Sequence, residues 1–134
     1  MKQILVDTSI WIEYFKGSSS AAGIIHDNDS HTVCTTGPII TELIQGLKTK
    51  NEKEVFSDCL DSLPKIIITD QDWVDAGLLG NDLRETGITI PLTDLIIYII
   101  ARNNNCSVCT LDKHFEIINN HTAHSIEIIG LKKQ

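Results

Sequence analysis

Four acidic residues, Asp7, Glu42, Asp94 and Asp112, each stand at the edge of an apolar run. Asp7 ends Ile4-Leu5-Val6, and Glu42 follows Ile39-Ile40-Thr41. Asp94 opens Leu95-Ile96-Ile97-Tyr98-Ile99-Ile100, and Asp112 closes Val108-Cys109-Thr110-Leu111. A carboxylate beside a core segment is costly to ionise unless something compensates it. Several brought together repel one another, and a divalent cation relieves that repulsion. Oxygen donors of this kind suit Mg²⁺ or Mn²⁺. Such an ion activates water as a nucleophile and stabilises charge developing on a phosphodiester. Each acid also has a plain structural reading. Asp7, in Asp-Thr-Ser, can cap the next helix. Asp94 can be a first-turn charge favoured by the helix dipole. Asp112 can be a loop or capping residue, and Glu42 an exposed position between apolar ones. The four together weigh more than any one alone.

The elements that would position these acids follow from the apolar pattern. Lys2 to Val6, Thr32 to Thr36, Ile66 to Ile68, Ser107 to Leu111 and Ser125 to Ile129 read as short strands. Between them lie helices: Ile10 to about Phe15, capped by Thr8 or Ser9; a short one begun by Ser18 to Ser20; and one opened by Gly37-Pro38. Further helices run from Asn51 to Leu63, from Asp70 or Asp72 to about Glu85, from Asp94 to Asn103 behind a Thr93 cap, and from Lys113 to Asn119. Ile39, Ile40, Leu43, Ile44 and Leu47 fall at helical spacing on one face. Strands alternating with helices predict an α/β sandwich with a mainly parallel sheet. Ligands bind at the carboxyl ends of such strands. Asp7 and Asp112 occupy that edge, and Glu42 and Asp94 stand near helix starts on the same side.

A chain of 134 residues is the size of one domain, here residues 1–134. With 42% hydrophobic and 22% charged residues it is expected to be globular. The run Leu95 to Ala101 is too short to span a bilayer, and no signal peptide is visible, so a cytoplasmic location is expected. The net charge of −7 argues against simple electrostatic nucleic-acid binding. It argues less against a metal-dependent nuclease, because bound metal reverses the local sign.

The acids lie in segments that are similar to a known family. Val6-Asp7-Thr8-Ser9-Ile10-Trp11-Ile12 resembles the opening motif of PIN-domain ribonucleases, and Thr41-Glu42-Leu43-Ile44-Gln45-Gly46-Leu47 their second. Pro91-Leu92-Thr93-Asp94-Leu95-Ile96-Ile97 resembles the third, and Thr110-Leu111-Asp112-Lys113-His114-Phe115 the fourth. The chain looks most like the VapC-like toxins of toxin–antitoxin systems. The resemblance implies a five-stranded parallel sheet flanked by helices, in a three-layer PIN-like sandwich. It implies a Mg²⁺- or Mn²⁺-dependent endoribonuclease, dimeric and neutralised by a cognate antitoxin. Asp7, Glu42, Asp94 and Asp112 match the family's acidic positions, as metal ligands and catalytic residues. Ser9 and Thr110 match supporting hydroxyl positions. Some members carry a further acid after the fourth motif; here His114 and Glu116 follow. A homodimer is also suggested by surplus apolar residues, including Val74, Leu78 and Leu79.

In this scheme metal-activated water hydrolyses the RNA and leaves a 5′-phosphate and a 3′-hydroxyl. Attack by the ribose 2′-hydroxyl would instead need general acid–base side chains. His114, with no carboxylate orienter in the adjacent sequence, reads as a surface residue. Lys113 and Arg102 are candidate phosphate contacts, but surface cations are commonly unspecific. Cys106-Ser107-Val108-Cys109 with His121 and His124 imitates a zinc site, yet residues three apart on a strand face opposite ways. Cys34 and Cys109 read as small core residues, and Trp11 and Trp73 as packing aromatics.

Two other function classes compete. A phosphotransfer receiver requires an acidic pair ending its first strand, where this chain has Asp7-Thr8-Ser9. An aspartyl phosphatase requires a second Asp where Ser9 stands, and no Gly-rich phosphate loop is present. A PIN-like interaction module without catalysis would not need all four acids.

Overall fold

The computed structural model describes residues 2–27 and 29–132. In chain order the elements are β1 (Lys2–Val6), α1 (Thr8–Phe15), α2 (Ser19–His26), β2 (His31–Thr36), α3 (Gly37–Gly46) and α4 (Lys50–Ser62). They continue with β3 (Lys65–Ile66), α5 (Asp70–Glu85), α6 (Leu92–Asn103), β4 (Ser107–Cys109), α7 (His114–Asn119) and β5 (Ile128–Ile129). The strands form one five-stranded sheet in the order β3-β2-β1-β4-β5, and every pairing is parallel. A receiver-type fold has the order 2-1-3-4-5, so that alternative is overturned by the strand order.

Consecutive residues of the inner strands are buried: Ile4, Leu5 and Val6 in β1, Val33 to Thr36 in β2, Ser107 to Cys109 in β4. Because side chains alternate across a strand, burial of neighbours means that both sheet faces are covered. This makes the three-layer sandwich. The apolar α6 is buried from Ile96 to Ala101 and packs on α5 and α7. Trp11, fully buried, meets Phe56 and Tyr14 edge to face.

Several local expectations are corrected. The third strand ends at Ile66, not Ile68, and Ile67 is 83% exposed on that edge of the sheet. A short edge strand limits pairing with other chains. Helix α5 is capped by Thr69, not by Asp70 or Asp72; Asp72 instead returns a bond to the Thr69 N–H in a capping box. Helix α6 begins at Leu92 behind Pro91, so Thr93 is inside it and caps nothing. Neither Thr8 nor Ser9 caps α1, because both are already helical. Trp73 is 45% exposed, so it is not a packed aromatic. The strand expected over Ser125–Ile129 pairs only at Ile128 and Ile129.

Candidate active site

The strand order reverses its direction of growth at β1, between β2 on one side and β4 on the other. In doubly wound sheets such a switch point opens a crevice beyond the carboxyl ends of the strands. Asp7 directly follows β1, and Thr110 and Asp112 follow β4. The Asp7 N–H donates to Cys109 O at 2.9 Å, which carries the parallel ladder one residue past the end of β1. Asp94 arrives from the first turn of α6. An open cleft here is lined by Asp7, Thr8, Ser9, Ile12, Glu42, Asp94, Asp112 and His114, among others.

Asp7 holds the N-cap position of α1, but its side chain makes no capping bond. Its Oδ2 instead accepts from Thr110 Oγ1 at 2.8 Å and Ser9 Oγ at 3.1 Å. Asp7 thus directs its carboxylate mainly to these two hydroxyls and not to the usual cap of α1. Each hydroxyl is also an acceptor: Ser9 Oγ takes the Leu111 N–H at 3.0 Å and Thr110 Oγ1 takes the Asp112 N–H at 2.9 Å. These bonds tie the β1 end to the β4 end. Asp112 does retain part of its capping role, since its Oδ1 accepts from the His114 N–H at 2.9 Å.

His114 is the residue that sequence reading placed wrongly. Its Nδ1 lies 2.7 Å from Asp94 Oδ2 and 3.0 Å from Asp112 Oδ1. The surface reading is overturned: the carboxylate orienter missing from the neighbouring sequence is Asp94, 20 positions back and brought over by α6. Among the described residues, Asp94, Asp112 and His114 are the one group of three His, Cys, Asp or Glu whose ligand atoms lie within 4.8 Å of each other. Glu42 is exposed on α3 at the rim of the cleft. Glu116 is exposed on α7 and does not line the cleft.

The charges feel one another. Burial raises the Asp7 carboxyl above its usual range, against its bonds to Thr110, Thr8 N–H and Ser9, and the charge of Glu42 adds to the rise. Burial likewise pushes Asp94 up to about 6, despite its bond to His114, with Asp112 and Asp7 adding repulsion. For His114 burial acts downwards, but the bond to Asp94 and the charges of Asp112 and Asp94 outweigh it and raise the imidazole. The cluster thus holds protons more tightly than its members would alone, chiefly because burial disfavours the charged carboxylates, with repulsion among the acids adding to it. The donor chemistry, buried carboxylates backed by hydroxyls, fits a hard divalent ion.

Among the described residues, Cys106, Cys109, His121 and His124 do not bring their ligand atoms together as a metal-holding group. Burial raises the Cys106 thiol to about 11 and Cys109 to about 12, so neither is a ready thiolate. Cys34 and Cys109 are core residues as expected. Arg102 lines a separate pocket with Asp75, Asp82 and His121, and Lys113 is exposed beside Asp112.

The PIN domain family model matches residues 4–120. The chain belongs to the PIN domain family. This PIN domain is 25% identical over 121 residues to "Ribonuclease VapC11" of Mycobacterium tuberculosis and to "VapC ribonuclease Mb1587" of Mycobacterium bovis. Each match covers 86% of this chain and 90% of the relative. Among solved structures it resembles a chain of VapBC2 from Rickettsia felis bound to a promoter DNA fragment, at TM-score 0.80 and 18% identity over 97% of this chain and 99% of that one. It also resembles a chain of VapBC-5 from Mycobacterium tuberculosis, at TM-score 0.68 and 22% identity over 97% and 99%. These likenesses agree with the sandwich and its strand order. No described helix of this PIN domain is long and apolar enough to cross a membrane.

Proposed function

We propose that this PIN domain is a Mg²⁺- or Mn²⁺-dependent endoribonuclease and the toxin of a toxin–antitoxin pair. The observation that carries the reading is the convergence of Asp7, Asp94 and Asp112 in one cleft, with Glu42 at its rim. The ribonuclease names of its relatives and the VapBC titles of its structural neighbours support it. Asp7, Asp94 and Asp112 are the residues that would hold the ion, and Glu42 completes the cage or orients water. When bound, the ion supplies an activated water and neutralises charge on the phosphodiester.

The protein's own contribution is positioning. Thr110 and Ser9 fix one oxygen of Asp7, and Thr110 also fixes the backbone of Asp112. Asp112 in turn anchors the start of α7, which carries His114 back into the cleft. The cleft is open at the sheet edge, which suits single-stranded or looped RNA better than a rigid duplex. A second groove shares Thr8, Ile12 and Glu42 with it and is lined further by Phe15, Leu43 and Leu47, with Lys16, Lys48 and Glu52 as its other charged residues. An antitoxin segment with apolar and acidic residues seated there would reach the catalytic acids directly. A homodimer through the exposed Trp73, Val74 and Leu78 of α5 is part of the same reading.

The deciding experiment is cleavage of a single-stranded RNA by the purified chain with added Mg²⁺ or Mn²⁺. Expected are 5′-phosphate and 3′-hydroxyl ends, and no cleavage in chelator or with folded Asp7→Asn. Cyclic-phosphate ends formed in chelator would overturn the metal role of all four acids. A folded chain inert under every condition would favour the interaction module.

A further inference from the structure

Three donor atoms in the cleft are packed more tightly than the rest. His114 Nδ1 stands 2.7 Å from Asp94 Oδ2 and 3.0 Å from Asp112 Oδ1. Neighbouring ligands of an octahedral ion with bonds of about 2.1 Å are themselves about 3 Å apart. These are the distances of its hydrogen bond to Asp94 and its ion pair with Asp112, and they also match ligand-to-ligand spacing, so a cation could replace the shared proton without moving the three side chains far. Asp7 is outside this tight group, and its Oδ2 is committed to two hydroxyls.

The histidine is also held in place from its own backbone. Its N–H bonds to Asp112 Oδ1, so the residue that supplies the nitrogen and the residue that supplies the oxygen are locked together. Its side chain is about one-third exposed, toward the cleft that it lines.

We propose that His114 is a metal ligand through Nδ1, beside Asp94 and Asp112, and that this nitrogen biases the site toward Mn²⁺ and later first-row ions over Mg²⁺. The proposal rests on the metal-dependent nuclease reading. Mg²⁺ takes oxygen ligands and keeps its waters, whereas imidazole is a common ligand of transition-metal ions. A cage of carboxylates alone would discriminate less. His114 is thus a specificity-determining residue for the cation.

The test uses the full chain loaded with Mn²⁺ and pulsed electron paramagnetic resonance. Wild type is expected to show hyperfine coupling to a directly bound nitrogen. The coupling should change when histidine is labelled with the heavy nitrogen isotope and vanish in His114→Gln. By titration calorimetry, the preference for Mn²⁺ over Mg²⁺ should fall about tenfold in His114→Gln. Mn²⁺ bound to wild type without histidine coupling overturns the ligand role and leaves the nuclease reading standing. Coupling with an unchanged ion preference overturns the selectivity. A wild-type chain that binds no Mn²⁺ overturns the underlying reading as well. The spectroscopic arm is read on wild type, so it does not depend on the variant folding.

Discussion

Thr110 Oγ1 donates to Asp7 Oδ2 at 2.8 Å, across 103 positions of sequence, and the same oxygen accepts the Asp112 N–H at 2.9 Å. One hydroxyl thereby aligns the first and last acids of the site. Thr110→Val keeps the shape but removes both bonds, leaving a buried carboxylate oxygen and a backbone N–H short of a partner. It should lower unfolding stability by about 1–3 kcal/mol and cleavage by about 10–100-fold. Denaturant midpoints and single-turnover RNA cleavage measure the two effects. Wild-type cleavage in Thr110→Val would show that Asp7 does not need this alignment.

Asp94→Asn should stabilise the chain in chelator at pH 7.5 while abolishing cleavage. The wild-type carboxyl, raised to about 6 chiefly by burial, is ionised there against its environment. Asn removes that charge and can still accept from His114. The cleft is open to water, so the gain is on the order of 1 kcal/mol. Thermal melting in chelator checks it. A clearly lower melting temperature would mean that the ionic partnership with His114 outweighs the repulsion among the acids.

The metal-free chain should lose stability as pH rises from about 4 to 8. Asp94 and Asp7 have folded pKa values above their ordinary 3.8, so the native state binds more protons than the unfolded chain over this range. For Asp94 the loss spans pH 3.8 to about 6. His114 is raised above 6.5; its contribution is complete below that value and lost as pH climbs through the folded pKa. At the acid end the opposite holds for Asp27, Glu52 and Glu127, whose pKa values hydrogen bonds lower, and for Asp72, where burial acts upwards but the bonds from Thr69 and Asn103 together outweigh it. Added Mn²⁺ should reverse the loss, because the cation replaces those protons and binds more tightly as pH rises. Melting curves at several pH values, with and without Mn²⁺, test this. A metal-free stability that climbs steadily from pH 5 to 8 would contradict it.

Leu78→Arg should convert a dimer to a monomer without unfolding it. Leu78 is 60% and Val74 55% exposed, one turn apart on α5. Light scattering at tens of micromolar protein, with circular dichroism as the folding control, reads the result. A wild-type chain that is already monomeric, or a variant that stays dimeric, would remove α5 from the interface.

Much of the molecule follows from local pattern. Ile4-Leu5-Val6 and Val108-Cys109 are short runs apolar on consecutive positions, and their alternation with helices predicts a parallel layered sheet covered on both faces. Acids placed just past those strands must then fall on the carboxyl edge. Resemblance to the PIN motifs added Ser9 and Thr110, which no local rule would single out. Helix starts were less legible. Thr69 rather than Asp70 caps α5, because capping depends on which residue the backbone leaves extended, and either side chain could do it. The exposure of Ile67 and Trp73 depends on where neighbouring elements end. The pairing of His114 with Asp94 was invisible, since it requires the first turn of α6 to meet that of α7 across the cleft. Alternation of apolar and polar residues sets which face of an element is buried, and so the fold could be read. The distance between two polar side chains on different elements is set by how those elements pack, and only the tertiary structure decides it.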